Sequence, residues 1–106
     1  MLNRELTPEQ ENIARIAKAL AHPVRIAILQ MLATQDYCYH NDISDVAPIA
    51  KSTLSQHLKD LRKGGLIQEE ITPSTVKYCI NQQNWSVAKM LFGNFFEEVN
   101  SQIGNS

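Results

Sequence analysis

Between positions 51 and 63 the chain carries short hydroxyls, one amide and several cations at spacings that a helix would gather onto one side. At 100° per residue, Ser52, Gln56, Lys59 and Lys63 fall together, with Ser55 and Arg62 on one edge and Thr53 on the other. Leu54, Leu58 and Leu61 point the opposite way, so the segment has an inner face to anchor and an outer face to offer. The outer residue types match what base edges present in a DNA major groove. Gln pairs bidentately with adenine, Lys donates to guanine acceptors, and Ser or Thr serves bases or phosphates. The helix start near Lys51 and Ser52 adds free backbone amides and the positive end of the dipole, which suit a phosphate.

The whole chain is almost neutral, with 10 Lys+Arg against 11 Asp+Glu over 106 residues. That argues against coating nucleic acid by charge alone, but not against concentrating charge on one element. Over 51–63 the cations Lys51, Lys59, Arg62 and Lys63 stand against the single acid Asp60, a local excess of three positive charges. The competing reading is a Lys-rich face that is merely solvated. What separates the two is the context of the segment.

That context is an ordered series of elements. After six residues of arm, Thr7-Pro8-Glu9-Gln10 is a strong helix start: Thr7 caps, Pro8 suits the first helical position, and Gln10 completes a capping box. Ile13, Ile16, Ala17 and Leu20 then form one apolar stripe. Pro23 opens a second helix to about Thr34, apolar almost all round and so expected at the centre of the core. Residues 35–41 read as a polar connection, and Asn41 or Asp42 caps a short third helix ending at Pro48. The fourth helix, 51–63, stops at Gly64-Gly65. The segments 66–71 and 76–80 alternate as two strands about the turn Thr72-Pro73-Ser74-Thr75, a hairpin from which Thr75 and Lys77 can reach flanking DNA. Asn84 opens a last helix whose Trp85, Ala88, Phe92, Phe95 and Val99 step by three or four residues, with Leu91 and Phe96 widening the stripe. The predicted fold is mainly α with a small β-hairpin (α+β), a winged helix-turn-helix in the order α-α-α-α-β-β-α.

Two stretches carry a family resemblance. Ala19-Leu20-Ala21-His22-Pro23-Val24-Arg25-Ile26-Ala27-Ile28-Leu29 is similar to the alanine, leucine, then Asp- or His-Pro-x-Arg run of the ArsR family of winged-helix repressors. Positions 52–67, from Ser52 through Gly64-Gly65-Leu66-Ile67, resemble the recognition helix and Gly-Leu exit of that family, and Val76-Lys77-Tyr78 looks like the return strand of its wing. The resemblance implies a transcription repressor that binds double-stranded DNA as a homodimer joined by its first and last helices. The interface would then hold Ile13, Leu20, Trp85, Ala88, Phe92, Phe95 and Val99, which fits a terminal stripe wider than one small core needs. One domain over 1–106 is expected: a flexible arm (1–6), helices with dimer-forming ends (7–34 and 83–102), the helix-turn-helix (41–64) and the wing (66–81). A twofold dimer places two 51–63 helices about 34 Å apart, one DNA turn, and so reads a palindrome.

The family also implies an inducer, a small molecule or a metal whose identity the sequence leaves open. Here the chain departs from the metal-sensing pattern. Where those members carry Cys-x-Cys before the short third helix, this sequence has Tyr39 and Asn41. Cys38 and His40 are each one residue out of register, while Asp42 matches. The last helix holds no His or Cys, and its only acids are Glu97 and Glu98. Cys38, His40 and Asp42 form at most a partial set for a metal that wants three or four ligands, so neither a metal nor another cofactor is expected. The two cysteines are expected as free thiols, Cys79 as a small buried hydrophobe. A Cys38–Cys79 redox switch is the alternative, although nothing in the sequence places the two within bonding distance. His22 is expected to cap or pack at a helix junction, and His57 to brace the 51–63 helix. Tyr37 and Tyr39 either line a ligand entry, touch DNA or cover a core edge. No Gly-rich phosphate loop or nucleophile–base set points to an enzyme. The N-terminus has no apolar signal core and no stretch is long enough to span a bilayer, so a cytoplasmic location without membrane contact is expected. The alternative function is a winged-helix module that binds protein, a class that usually loses the cations this helix keeps.

Overall fold

The computed structural model describes residues 5–39, 49–74 and 76–104. Helix α1 (Pro8–Leu20) begins in a complete capping box: Thr7 accepts from the Gln10 amide at 3.1 Å, and the Gln10 side chain accepts from the Thr7 amide at 2.8 Å. Helix α2 (Pro23–Thr34) follows after a bend of 89°. His22 is its N-cap, its ring nitrogen accepting from the Val24 amide. Helix α3 (Lys51–Lys63), strands β2 (Ile67–Ile71) and β3 (Val76–Ile80), and the long helix α4 (Gln82–Ile103) complete the main order. The short helix expected before Pro48 lies outside the described residues.

The sheet differs from the expected hairpin. A third strand, β1 (Cys38–Tyr39), pairs antiparallel with β3, giving the order β1-β3-β2. A two-residue strand has no alternation to read, and its partner is far along the chain. It forms because Asp36 and Tyr37 both take left-handed backbone angles, φ 62° and 73°, which turn the chain back after α2. The Ile80 amide then donates to the Tyr37 carbonyl at 2.8 Å. In this register Cys38 lies directly opposite Cys79, and the two are joined in a disulfide. The expectation of free thiols is therefore wrong. Cys79 is buried as expected, but as a bonded half-cystine.

The core is one cluster. Ile16 and Ala19 of α1, Ile28, Leu29 and Leu32 of α2, Leu54, Leu58 and Leu61 of α3, Leu66 just before the sheet, Ile67 and Ile80 within it, and Ala88 and Leu91 of α4 meet in it. Helix α2 is central but not covered all round, since Ile26 is 40 % exposed. The two glycines after α3 have different jobs. Gly65 takes the left-handed turn, φ 78°, while Gly64 has ordinary angles and is needed for space. A Cβ on Gly64 would sit 2.5 Å from the Cβ of Ala19. Asn81, not Asn84, caps helix α4, accepting from the Asn84 amide at 3.0 Å. Asn84 instead donates its side-chain amide to the Gly65 carbonyl at 2.9 Å and ties α4 to the exit of α3.

Candidate nucleic-acid interface

Helix α3 separates its residues as its spacing predicts. Leu54, Leu58 and Leu61 are buried, whereas Lys51, Ser52, Thr53, Ser55, Gln56, Lys59 and Lys63 are all exposed. The inner leucines fix the helix against α2 and the sheet, so the outer side chains stand on a rigid element. Basic Arg62 and Lys63 in the last turn complement the negative end of the helix dipole. Arg62 also pairs with Glu69 of β2 at 2.7 Å and links the helix to the root of the wing. Lys77 lies on β3, but its ammonium is 3.0 Å from Glu70, so in the free chain its charge is shared. Thr75 lies outside the described residues.

The helix is locked in rotation by a network that sequence reasoning missed. Arg25, in the first turn of α2, donates Nε to His57 Nδ1 at 3.0 Å and Nη2 to Asp60 Oδ2 at 2.6 Å. Its Nη1 donates to the Lys18 and Ala19 carbonyls at the end of α1. One guanidinium thus binds three helices, and its side chain is only 15 % exposed. Charge-assisted bonds of this kind are short and directional. The remaining oxygen of Asp60 accepts from Gln56 Nε2 at 3.1 Å. The Gln56 amide is thereby held by Asp60 in the free chain. The signal in the sequence was the placement of His57 and Asp60 three residues apart, but nothing local couples them to Arg25.

His57 is 7 % exposed and is the one buried polar residue among those described. Its pKa is lowered from 6.5, first by burial, then by the His22 ring and the Arg25 guanidinium, while Asp60 opposes the shift. The rings of His22 and His57 lie 4.2 Å apart. A neutral His57 is what Arg25 requires, because only the unprotonated nitrogen accepts its N–H.

The profile of the bacterial regulatory protein, arsR family, matches residues 22–69, which contain Arg25, all of α3 and most of β2. The chain belongs to that family. The HTH-type transcriptional regulator YgaV of Escherichia coli is 29% identical over 79 residues, 74% of this chain and 80% of that protein. The HTH-type transcriptional repressor SmtB of Mycobacterium tuberculosis is 36% identical over 63 residues, 59% of this chain but only 46% of the repressor. Among solved structures, reduced HlyU from Vibrio cholerae superposes with a TM-score of 0.61 at 30% identity, covering 76% of this chain and 82% of that one. The architecture is a winged helix-turn-helix, and the protein is a DNA-binding transcriptional regulator.

The other expected surface is on α1 and α4. Of its residues, Trp85, Phe95 and Val99 are 38 %, 40 % and 42 % exposed, Ile13, Leu20 and Phe92 are half-buried, and Ala88 lies inside the core of its own chain. Phe96 at 63 % and Ile103 at 75 % are more exposed than any of them and extend the same stripe. Phe92 and Phe96 stack at 6.1 Å, and Phe95 and Phe96 tilt together at 5.5 Å. For a metal, no group of three or more His, Cys, Asp or Glu comes together among the described residues. His40 and Asp42 lie outside them, and Cys38 is held in the disulfide with Cys79. Among the described residues, no single helix is long and apolar enough to cross a membrane.

Proposed function

We propose that the regulator is a homodimeric repressor that holds a palindromic operator in the cytoplasm and leaves it on receiving a chemical signal, with no catalytic activity of its own. The observation that carries this reading is the contrast between two helices of one chain. The outer face of α3 is polar, cationic and prearranged by Arg25 and Asp60. The outer face of α4 is a run of exposed aromatics with no cover among the described residues. A second copy packed along α4 would bury that run and set two recognition helices on one side of the assembly. In this reading Ser52, Thr53, Ser55 and Gln56 meet bases, while Lys51, Lys59, Lys63, Thr75 and Lys77 meet phosphates. Doubling the phosphate contacts is how a nearly neutral chain reaches useful affinity.

The test is fluorescence anisotropy of the purified protein on labelled DNA from upstream of its own gene, at two salt concentrations. Saturable binding at two chains per site, weakened by salt and resisted by unlabelled specific competitor, is expected. Binding at one chain per site, or equal competition by unrelated DNA, contradicts the reading.

A further inference from the structure

Between α2, the end of β3 and the first turn of α4 lies an open cavity of about 510 Å³. Its rim carries three of the exposed large apolar side chains, Ile26, Tyr37 and Trp85. Gln30, Gln82 and Ser86 line it too, and among the described residues their side chains make no hydrogen bond. No charged residue lines it among those described. Leu20 and Trp85 of its lining also belong to the surface assigned above to a second copy, so the cavity adjoins that seam. Apolar walls with a few singly placed polar groups, in a space of this size, are the pattern of a small-molecule site.

The backbone at the rim adds a second, independent observation. Asp36 and Tyr37 are the only non-glycine residues with positive φ among those described. Such angles cost ordinary residues energy and persist only where surrounding structure enforces them. Here the Ile80 amide and the Cys38–Cys79 disulfide enforce them, and the result is a Tyr37 that stands in the wall of the cavity.

We propose that this cavity is a binding site for a small, neutral aromatic molecule bearing one or two hydrogen-bonding groups. Tyr37 and Trp85 supply aromatic walls, which favour a flat ring. The three unpartnered polar side chains supply the hydrogen bonds. A charged ligand is disfavoured because nothing in the cavity compensates the loss of its hydration. The site deepens the regulator reading by giving the signal a chemical class, and its link to DNA rests on that reading. The link is short: Tyr37 is bonded to Ile80, the last residue of β3, and β3 is the central strand of the wing sheet.

Trp85 is the single tryptophan of the chain, so its emission reports on the cavity directly. The probe is N-phenyl-1-naphthylamine, a neutral aromatic amine, titrated into the full chain with Trp85 quenching and probe emission both recorded. Two variants accompany it. Ala33→Phe fills the cavity from an exposed position of α2, and Tyr37→Gly removes an aromatic wall while relieving the positive φ. The expected result is saturation at one probe per chain, weakened at least tenfold in both variants. No saturable quenching, or an affinity in both variants equal to that of the natural chain, overturns the proposal. Probe binding that disappears in step with self-association also overturns it, and assigns the cavity to a second copy of the chain. The same samples are then titrated with operator DNA. Probe binding with unchanged DNA affinity overturns the link to the wing, whereas failure of the probe-free protein to select DNA counts against the repressor reading and leaves the binding result standing.

Discussion

Helices α3 and α4 are both amphipathic, and they leave their outer faces in opposite conditions. On α3 the outer side chains are polar and already organised, with Gln56 held by Asp60 and Asp60 held by Arg25. On α4 the outer side chains are Trp85, Phe95, Phe96, Val99 and Ile103, each more than a third exposed. Leaving a polar face in water costs little, because water satisfies it. Leaving apolar area open forgoes roughly 25 cal/mol for each Å² that could be buried. The first face is therefore at little cost in one chain and, as proposed, meets DNA, while the second leaves apolar area open and, as proposed, meets a second copy. Contiguous exposed apolar patches of this kind mark interaction sites.

The largest expected effect tests the region that lies between the two. The Cys38–Cys79 bond closes a loop with a sequence separation of 41. By the chain-entropy argument its reduction lowers stability by about 4 kcal/mol. Urea unfolding with and without dithiothreitol measures this, and coincident transitions would contradict it. Next comes a pair of substitutions that sets one helix against the other. Leu61, fully buried on the inner face of α3, should cost about 2–5 kcal/mol when changed to Ala, at any protein concentration. Phe96→Ser should leave the stability of the dilute chain nearly unchanged and make it independent of concentration. If Phe96→Ser is as damaging as Leu61→Ala in dilute solution, the α4 face belongs to the core of its own chain. Third, Phe96→Glu should yield a monomer in sedimentation equilibrium with an unchanged far-ultraviolet spectrum, and a persistent dimer would remove this face from the interface.

The smallest effect concerns pH. The folded chain lowers the pKa of His57, so as pH falls the unfolded chain takes up the proton first. The stability this group confers is complete above about 6.5 and is lost as pH drops from there through the folded-state value. Protonation also removes the acceptor for Arg25 Nε, so the network that orients α3 weakens in the same window. Urea midpoints between pH 7.5 and 5 should fall for the natural chain and vary less for His57→Gln. Parallel pH profiles would contradict the assignment.

How much of this was legible in the sequence depends on how local each cause is. The capping box at Thr7 and Gln10, the cap at His22 and the leucine stripe of α3 are set within a few residues, and the fold has them where the spacing predicts. The tertiary features were not legible. Strand β1 is two residues long and exists only through β3. The disulfide depends on that pairing, so two cysteines 41 positions apart looked unrelated. At Asn81 and Asn84 the same residue type stands at both places, and the choice of cap is decided by Gly65, whose carbonyl claims the Asn84 side chain. The exposed face of α3 was legible in the sequence, but the Arg25 network that orients it joins three helices and has no periodic signature.

The central claim is that the outer face of α3, in two copies, reads DNA. Selection from a pool of random duplexes tests it most directly, run with the natural chain and with Gln56→Ala and the enriched sequences compared. The account predicts a palindrome with half-sites about one helical turn apart, and a loss of preference in Gln56→Ala at one symmetric pair of positions, worth about 1–3 kcal/mol per base contact. Enrichment of a sequence without symmetry, or the same sequence from both proteins, would contradict it.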